Sequence, residues 1–210
     1  MSARRRGLLI AFEGVEGAGK STQLELLRGS LEELGHKVVA TREPGGTPMG
    51  ERVRSMLLDP SSTLDPRAEA LLFAAARAQL VEQVIRPALD RDEVVLCDRY
   101  LHSSLAYQGV ARGLGCEEIA TINRFATAGL LPDVVVLLRL DPAEGLARRH
   151  GSRDRIECQD LGFHRRVAEA FLRLAAAEPE RFVVIDAAQP AERVAAEVRA
   201  TVLARIAGGR

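Results

Sequence analysis

Leu8-Leu9-Ile10-Ala11-Phe12-Glu13-Gly14-Val15-Glu16-Gly17-Ala18-Gly19-Lys20-Ser21-Thr22 is the stretch from which the rest of the chain can be read. Its first part is a short apolar run suited to a strand buried on both faces. Gly14 to Ser21 then matches the pattern G-x-x-x-x-G-K-[ST] in full, and a segment of helical spacing follows at once. Glycines permit a tight turn whose backbone N–H groups converge on phosphate oxygens. Lys20 can reach the β and γ phosphates, and the Ser21 hydroxyl can ligate Mg²⁺. A glycine-rich turn could fit such a pattern by chance, but the strand before it and the helix after it favour a loop that binds a nucleoside triphosphate with Mg²⁺.

Outward from this loop the chain repeats one alternation. Leu8–Glu13, Lys37–Thr41, Glu93–Asp98, Asp133–Leu138 and Arg181–Asp186 are short Val/Leu/Ile-rich runs. Between them lie helical spacings over Thr22–Leu34, Arg67–Leu89, Cys116–Ala128, Pro142–Arg149, Phe163–Ala177 and Ala191–Ala207. Strands separated by helices imply right-handed crossovers, hence an α/β fold with a five-stranded parallel sheet flanked by helices. Pro142 and Pro190 sit where helices should begin, and Glu43–Pro48, Asp59–Pro66 and His150–Asp160 read as loops. In such a sheet the chemistry belongs at the carboxyl ends of the strands.

The chain has 210 residues, enough for one domain with a sizeable core. Its 29 Lys plus Arg balance 29 Asp plus Glu, which recommends neither nucleic acid nor an anionic membrane as partner. Lysine occurs only at positions 20 and 37, so Lys20 stands out in a chain that otherwise uses arginine. Cys97, Cys116 and Cys158 are odd in number and widely spaced, which points to free thiols, a reducing compartment and no structural metal. The basic start Met1–Arg6 and the apolar run after it stop at Glu13 without a cleavage site, and no stretch approaches the roughly 20 apolar residues of a membrane span. A soluble cytoplasmic protein is expected.

The loop alone names no acceptor, because GTPases, ATPases and small-molecule kinases share it. No Asn-Lys-x-Asp guanine signature is present. What is present, in order, is Glu13-Gly14 to Ser21-Thr22, Arg42-Glu43-Pro44-Gly45-Gly46-Thr47, Asp98-Arg99-Tyr100, Ser103-Ser104-x-Ala106-Tyr107-Gln108-Gly109 and Asp154-Arg155-Ile156-Glu157. Together these resemble the bacterial thymidylate kinases, and the match runs over nearly the whole chain. The resemblance implies a P-loop fold of the nucleoside-monophosphate-kinase type, a small lid over the phosphates at about 148–160, a homodimer, and transfer of the γ-phosphoryl group of ATP to thymidine monophosphate (dTMP).

It also assigns roles. Phe73 and Arg77, four apart on one helix face, would stack on the thymine ring and bond a ring carbonyl; on residue type alone they read as core and as a solvated charge. Arg42 and Arg99, at strand ends, would hold the acceptor phosphate, with Arg99 also on the travelling phosphoryl group. Asp98 ends an apolar run and would face Mg²⁺ directly or through water. Glu16, odd in an anion-binding loop, would meet the sugar 3′-hydroxyl. Pro44, Ser104, Tyr107 and Gln108 complete the acceptor side, where Tyr107 either crowds a ribose 2′-hydroxyl or simply packs.

Arg148, Arg149, His150, Arg153 and Arg155 form a basic cluster that reads either as a solvated loop or as the lid. The phosphate loop carries no arginine, so the resemblance to the bacterial branch implies a transition-state arginine from the lid, with Arg149 and Arg153 as candidates. Arg155 is left to hold the lid's shape, and Arg148 to flank the adenine beside Ala187–Pro190. A kinase of another nucleotide and a P-loop ATPase switch are the rival readings.

Overall fold

The structure is a computed structural model that describes residues 7–149 and 151–208; the basic start Met1–Arg6 and His150 of the lid cluster lie outside the described residues. The five apolar runs become β1 (Leu8–Glu13), β2 (Val38–Arg42), β3 (Val94–Asp98), β4 (Val134–Arg139) and β5 (Phe182–Asp186), each shifted from its sequence-derived bounds by at most one residue at either end. They pair in parallel in the order β2-β3-β1-β4-β5. Residues of β1, β3 and β4 are almost wholly buried, as continuous Val/Leu/Ile runs require.

The helices are α1 (Lys20–Glu33), α2 (Pro48–Leu58), α3 (Pro66–Leu80), α4 (Arg86–Asp90), α5 (Leu101–Ser104), α6 (Cys116–Thr127), α7 (Pro142–Ala147), α8 (Leu161–Ala177) and α9 (Ala191–Gly208). Right-handed crossovers put α1 on one face of the sheet, and the connections that run the other way on the opposite face. Strand β1 is central, and its outgoing connection runs towards β2 while that of β3 runs towards β4. The carboxyl ends of β1 and β3 therefore flank a crevice at the point where the winding reverses.

Three segments depart from the sequence reading. The segment Arg67–Leu89, expected as one helix, is α3 followed by a π-helical turn at Val81–Ile85 and then α4. Pro87 has no N–H for the preceding turn, and the ladder widens just before it. A second π-helical segment, Leu105–Ala111, continues α5 and carries Tyr107 and Gln108; no regular element had been expected there. Helix α2 was also unforeseen, although its signal is local. Thr47 caps it by accepting from the Gly50 N–H at 3.0 Å, Pro48 is its first residue, and Val53 and Leu57 bury one face against α3.

Candidate active site

The phosphate loop is shaped by close backbone approaches. A Cβ on Gly17 would lie 2.0 Å from the carbonyl oxygen of Gly145 in α7, and one on Gly14 2.5 Å from that of Leu138. Both glycines also have positive φ, 71° and 139°. Val15 and Ala18 turn their side chains into the core, so they serve the loop through their backbone. Lys20 is buried and donates to the carbonyls of Gly14 (3.1 Å) and Val15 (2.8 Å). Burial, assisted by the nearby charge of Arg99, lowers its ammonium to about 8. Ser21 donates to Asp98 Oδ2 at 2.5 Å, bringing together the two side chains proposed for the metal.

Arg99 follows Asp98 with φ of 70°, a left-handed conformation uncommon for a side chain of this size. Buried Glu13 holds this turn by accepting from the N–H of Tyr100 (2.9 Å) and the N–H and hydroxyl of Ser103 (3.1 and 2.6 Å). The guanidinium is thereby aimed back at the loop, where it donates to the Gly14 carbonyl at 3.0 Å and to Glu16 Oε1 at 3.1 Å. Tyr107 donates to the same Oε1 at 2.6 Å, and its ring lies 5.2 Å from the guanidinium carbon. The other carboxylate oxygen approaches Nδ1 of buried His164, from α8, to 3.3 Å, without hydrogen-bond angle. Burial works to raise the Glu16 carboxyl, but His164, Arg99 and Lys20 outweigh it and hold it well below the usual carboxylate range.

A cleft of about 520 Å³ opens above these groups, a size suited to small molecules. Glu16, Gly17, Gly19, Lys20, Ser21 and Thr22 line one side of it. Arg42, Pro44, Phe73, Arg77, Arg99, Ser104, Tyr107 and Gln108, drawn from four elements and the turns between them, also reach it. Phe73 is half-buried, packed on the Val53–Leu57 cluster yet open to the cleft.

Arg77 is 1% exposed and far from a solvated charge. It donates to Glu43 Oε2 (2.7 Å from Nε), Ser104 Oγ (3.0 Å), Asn123 Oδ1 and the Tyr100 carbonyl (3.3 Å). Burial pushes the Glu43 carboxyl up to about 7 against the pull of Arg77. Arg42 is half-exposed and paired in a fork with Glu51 of α2, 3.0 and 3.1 Å away.

From the segment expected as a lid, Arg148 and Arg149 reach the cleft. Arg148 donates to the Ala187 carbonyl at 3.0 Å, and Arg149 pairs with buried Glu157 at 2.6 Å. Arg153 does not join them: it is exposed and outside the cleft lining. The reason is the turn that follows. Asp154 Oδ1 caps the N–H groups of Ile156 and Glu157 at 2.9 Å each, and Arg155 roots the segment by donating to the Leu57 carbonyl (2.8 Å) and pairing with Glu69 (2.7 Å). Arg153 is left on the outer side.

Sequence reasoning passed over Glu43, Arg54, Glu69 and His164. Arg54 lines the cleft from α2 and donates to the Pro44 carbonyl at 2.9 Å. Recognising the Thr47-Pro48 cap would have placed it there. Nothing local marks Glu69 or His164, which matter only through partners distant in sequence.

The sequence model of the family described as Thymidylate kinase matches residues 12–198. A protein named thymidylate kinase from Deinococcus radiodurans is 55% identical over 202 residues, covering 95% of this chain and 98% of that protein. One of the same name from Clavibacter michiganensis is 54% identical over 97% of this chain and 98% of its own length. Among solved structures, thymidylate kinase from Ehrlichia chaffeensis superposes with a TM-score of 0.79 at 32% identity, covering 94% of this chain and 99% of that one.

Proposed function

The chain belongs to the thymidylate kinase family, and on that premise we propose that the cleft transfers the γ-phosphoryl group of ATP to thymidine 5′-monophosphate, giving ADP and thymidine diphosphate for dTTP synthesis. The observation that carries the residue roles is convergence: Lys20, Ser21 and Asp98 share one cleft with Arg42, Arg99, Phe73 and Arg77.

The N–H groups of Gly14–Thr22 and the Lys20 ammonium hold the ATP phosphates. Ser21 and Asp98, an adjoining hydroxyl and carboxylate, are the hard oxygen donors that suit Mg²⁺. When bound, that ion neutralises charge on the β and γ phosphates. Arg42, Arg54 and Arg99 hold the acceptor phosphate, Phe73 faces the base, Arg77 with Ser104 and Gln108 reads its edge, and Glu16 takes the 3′-hydroxyl beside Tyr107. An acceptor phosphate oxygen, already ionised at neutral pH, attacks the γ-phosphorus in line as the bond to ADP breaks. No general base is needed. Catalysis is positioning plus electrostatic stabilisation, with Lys20, Arg99 and Arg149 around the transferring group. Arg148 flanks the adenine, and residues 148–160 serve as the lid of one catalytic unit.

A second copy of the chain covers the outer surface of α3 and α6, where Leu71 and Phe125 are 57% and 91% exposed. A cytoplasmic setting suits the three unpaired cysteines. Among the described residues no helix is long and apolar enough to cross a membrane.

The test is ADP release with Mg²⁺ and each nucleoside monophosphate in turn, with product confirmed by mass. Selective formation of thymidine diphosphate supports the reading. Selective turnover of a different monophosphate would discard the acceptor roles, and hydrolysis that ignores every acceptor would discard the kinase.

A further inference from the structure

Glu69, in the first turn of α3, is 1% exposed and belongs to none of the motifs. Its carboxylate gathers donors from two other parts of the molecule. From the π-helical segment, Gln108 Nε2 donates to Oε1 at 2.8 Å, while Arg112, the residue that follows it, donates from Nε to Oε1 at 3.3 Å and from Nη2 to Oε2 at 3.2 Å. From the lid, Arg155 Nη1 lies 2.7 Å from Oε2. Arg112 also donates to Gln159, near the end of the lid, at 2.9 Å.

A carboxylate clasped by two guanidinium groups accepts hydrogen bonds and offers none. The amide nitrogen of Gln108 therefore has to face Glu69. A carboxamide otherwise has two nearly isosteric orientations that present opposite polarity. With its nitrogen engaged, Gln108 has its carbonyl Oε1 left for the cleft it lines.

We propose that Glu69 is a positioning residue for acceptor selectivity: by fixing the amide of Gln108, it makes the pocket demand a hydrogen-bond donor from the edge of the base. Thymine supplies one in its N3–H. Cytosine presents an acceptor at the same ring position, so two acceptors oppose each other and a buried group goes unpaired. This role rests on the acceptor pocket proposed above and deepens it, naming what sets the polarity of one wall. Because Arg155 shares the carboxylate, the same residue ties that wall to the root of the lid.

The experiment compares kcat/KM for thymidine monophosphate, its N3-methyl analogue and deoxycytidine monophosphate. The wild-type protein is expected to prefer the parent over both by at least about tenfold, the scale of one well-placed hydrogen bond. Glu69→Gln, whose amide can donate as well as accept, lets Gln108 turn. Its preference for thymidine over deoxycytidine monophosphate is expected to fall about tenfold or more, with KM for ATP within about twofold of wild type. Gln108→Met should lose the same preference, and adding Glu69→Gln to it should change selectivity no further.

Three results overturn the role. One is Glu69→Gln that loses activity on both monophosphates equally and keeps the ratio, which is what a purely structural residue gives. The second, independent of whether that variant folds, is a wild-type protein that turns over the N3-methyl analogue as well as the parent. The third is a wild-type protein that makes no thymidine diphosphate, which removes the function itself and so is distinguishable from the other two.

Discussion

Along the side of the cleft proposed for ATP, the lining comes mainly from one stretch, Glu16–Thr22, joined by Asp98, Arg148 and Arg149; along the side proposed for the acceptor it comes from β2, α2, α3, α5, the π-helical segment and the turns beside them. The first side works through backbone N–H groups, shaped by glycines whose absent side chains let α7 and β4 approach. The second works through buried charges held by other buried charges, such as Arg77 on Glu43 and Glu69 on Arg112 and Arg155. A contiguous cradle can be damaged chemically with little effect on the fold. A dispersed one joins binding to stability, since a buried group such as Arg77 also satisfies neighbours that have no water to turn to.

The sharpest test of this contrast is Lys20→Ala. Its loss should lower turnover by about 10³-fold or more while the unfolding midpoint in urea stays near that of the wild type. Near-normal turnover by the folded variant would falsify the phosphate-loop assignment. Arg77→Met should do the opposite damage. It strips a donor from Glu43, Ser104, Asn123 and the Tyr100 carbonyl at once, and the expected cost is about 3–5 kcal/mol of unfolding free energy, read from the same urea curves. A variant as stable as wild type would mean that the acceptor wall is no more integral to the fold than the phosphate loop.

Phe73→Ala falls between the two. Stacking on a base is worth about 1–3 kcal/mol, so KM for the acceptor should rise about 10- to 100-fold with KM for ATP unchanged. If the variant loses stability and keeps its acceptor KM, Phe73 is core only.

Two smaller effects are read from pH. Glu43 is raised in the fold from 4.5 to about 7, so its contribution to stability is complete below about pH 4.5 and is lost as pH rises through 7. The melting temperature of the wild type relative to Glu43→Gln should therefore decline across that window, and parallel curves would show that Glu43 does not titrate there. Glu178 behaves inversely: the imidazole of His102, 3.6 Å away, lowers its carboxyl from 4.5 to about 2, so its contribution is present above pH 4.5 and lost as pH falls towards 2. The group is partly exposed and solvent screens it, so Glu178→Gln should shift acid unfolding by well under about 1 kcal/mol.

Much of this molecule was legible from local pattern. The strands were, because a buried parallel strand needs an unbroken apolar run and the punctuation between runs is sharp. Helix α2 was not, because its cap sits inside a segment read as loop, and Arg54 was lost with it. The break at Val81–Ile85 escaped because a π-turn bonds i to i+5 over only five residues here, too short a stretch to show as a change of period. Arg153 and Arg155 stand two apart in one basic cluster, and composition does not separate them. One is exposed and the other nearly sealed only because Asp154 turns the chain between them and α2 offers carbonyls at Leu57 and Leu58.

The sequence by itself determined the strand–loop–helix that binds phosphate, the parallel sheet around it and, through its ordered motifs, the family. Those features depend on neighbours a few residues apart, where glycine freedom, apolar periodicity and capping act directly on the backbone. Tertiary structure alone decided that Arg77 is buried on Glu43, that Glu16 lies against His164 and Tyr107, and that Glu69 joins the acceptor wall to the lid. A buried charge is held by whichever opposite charge the fold delivers to it, and those partners lie tens of residues away along the chain, beyond the reach of any local pattern.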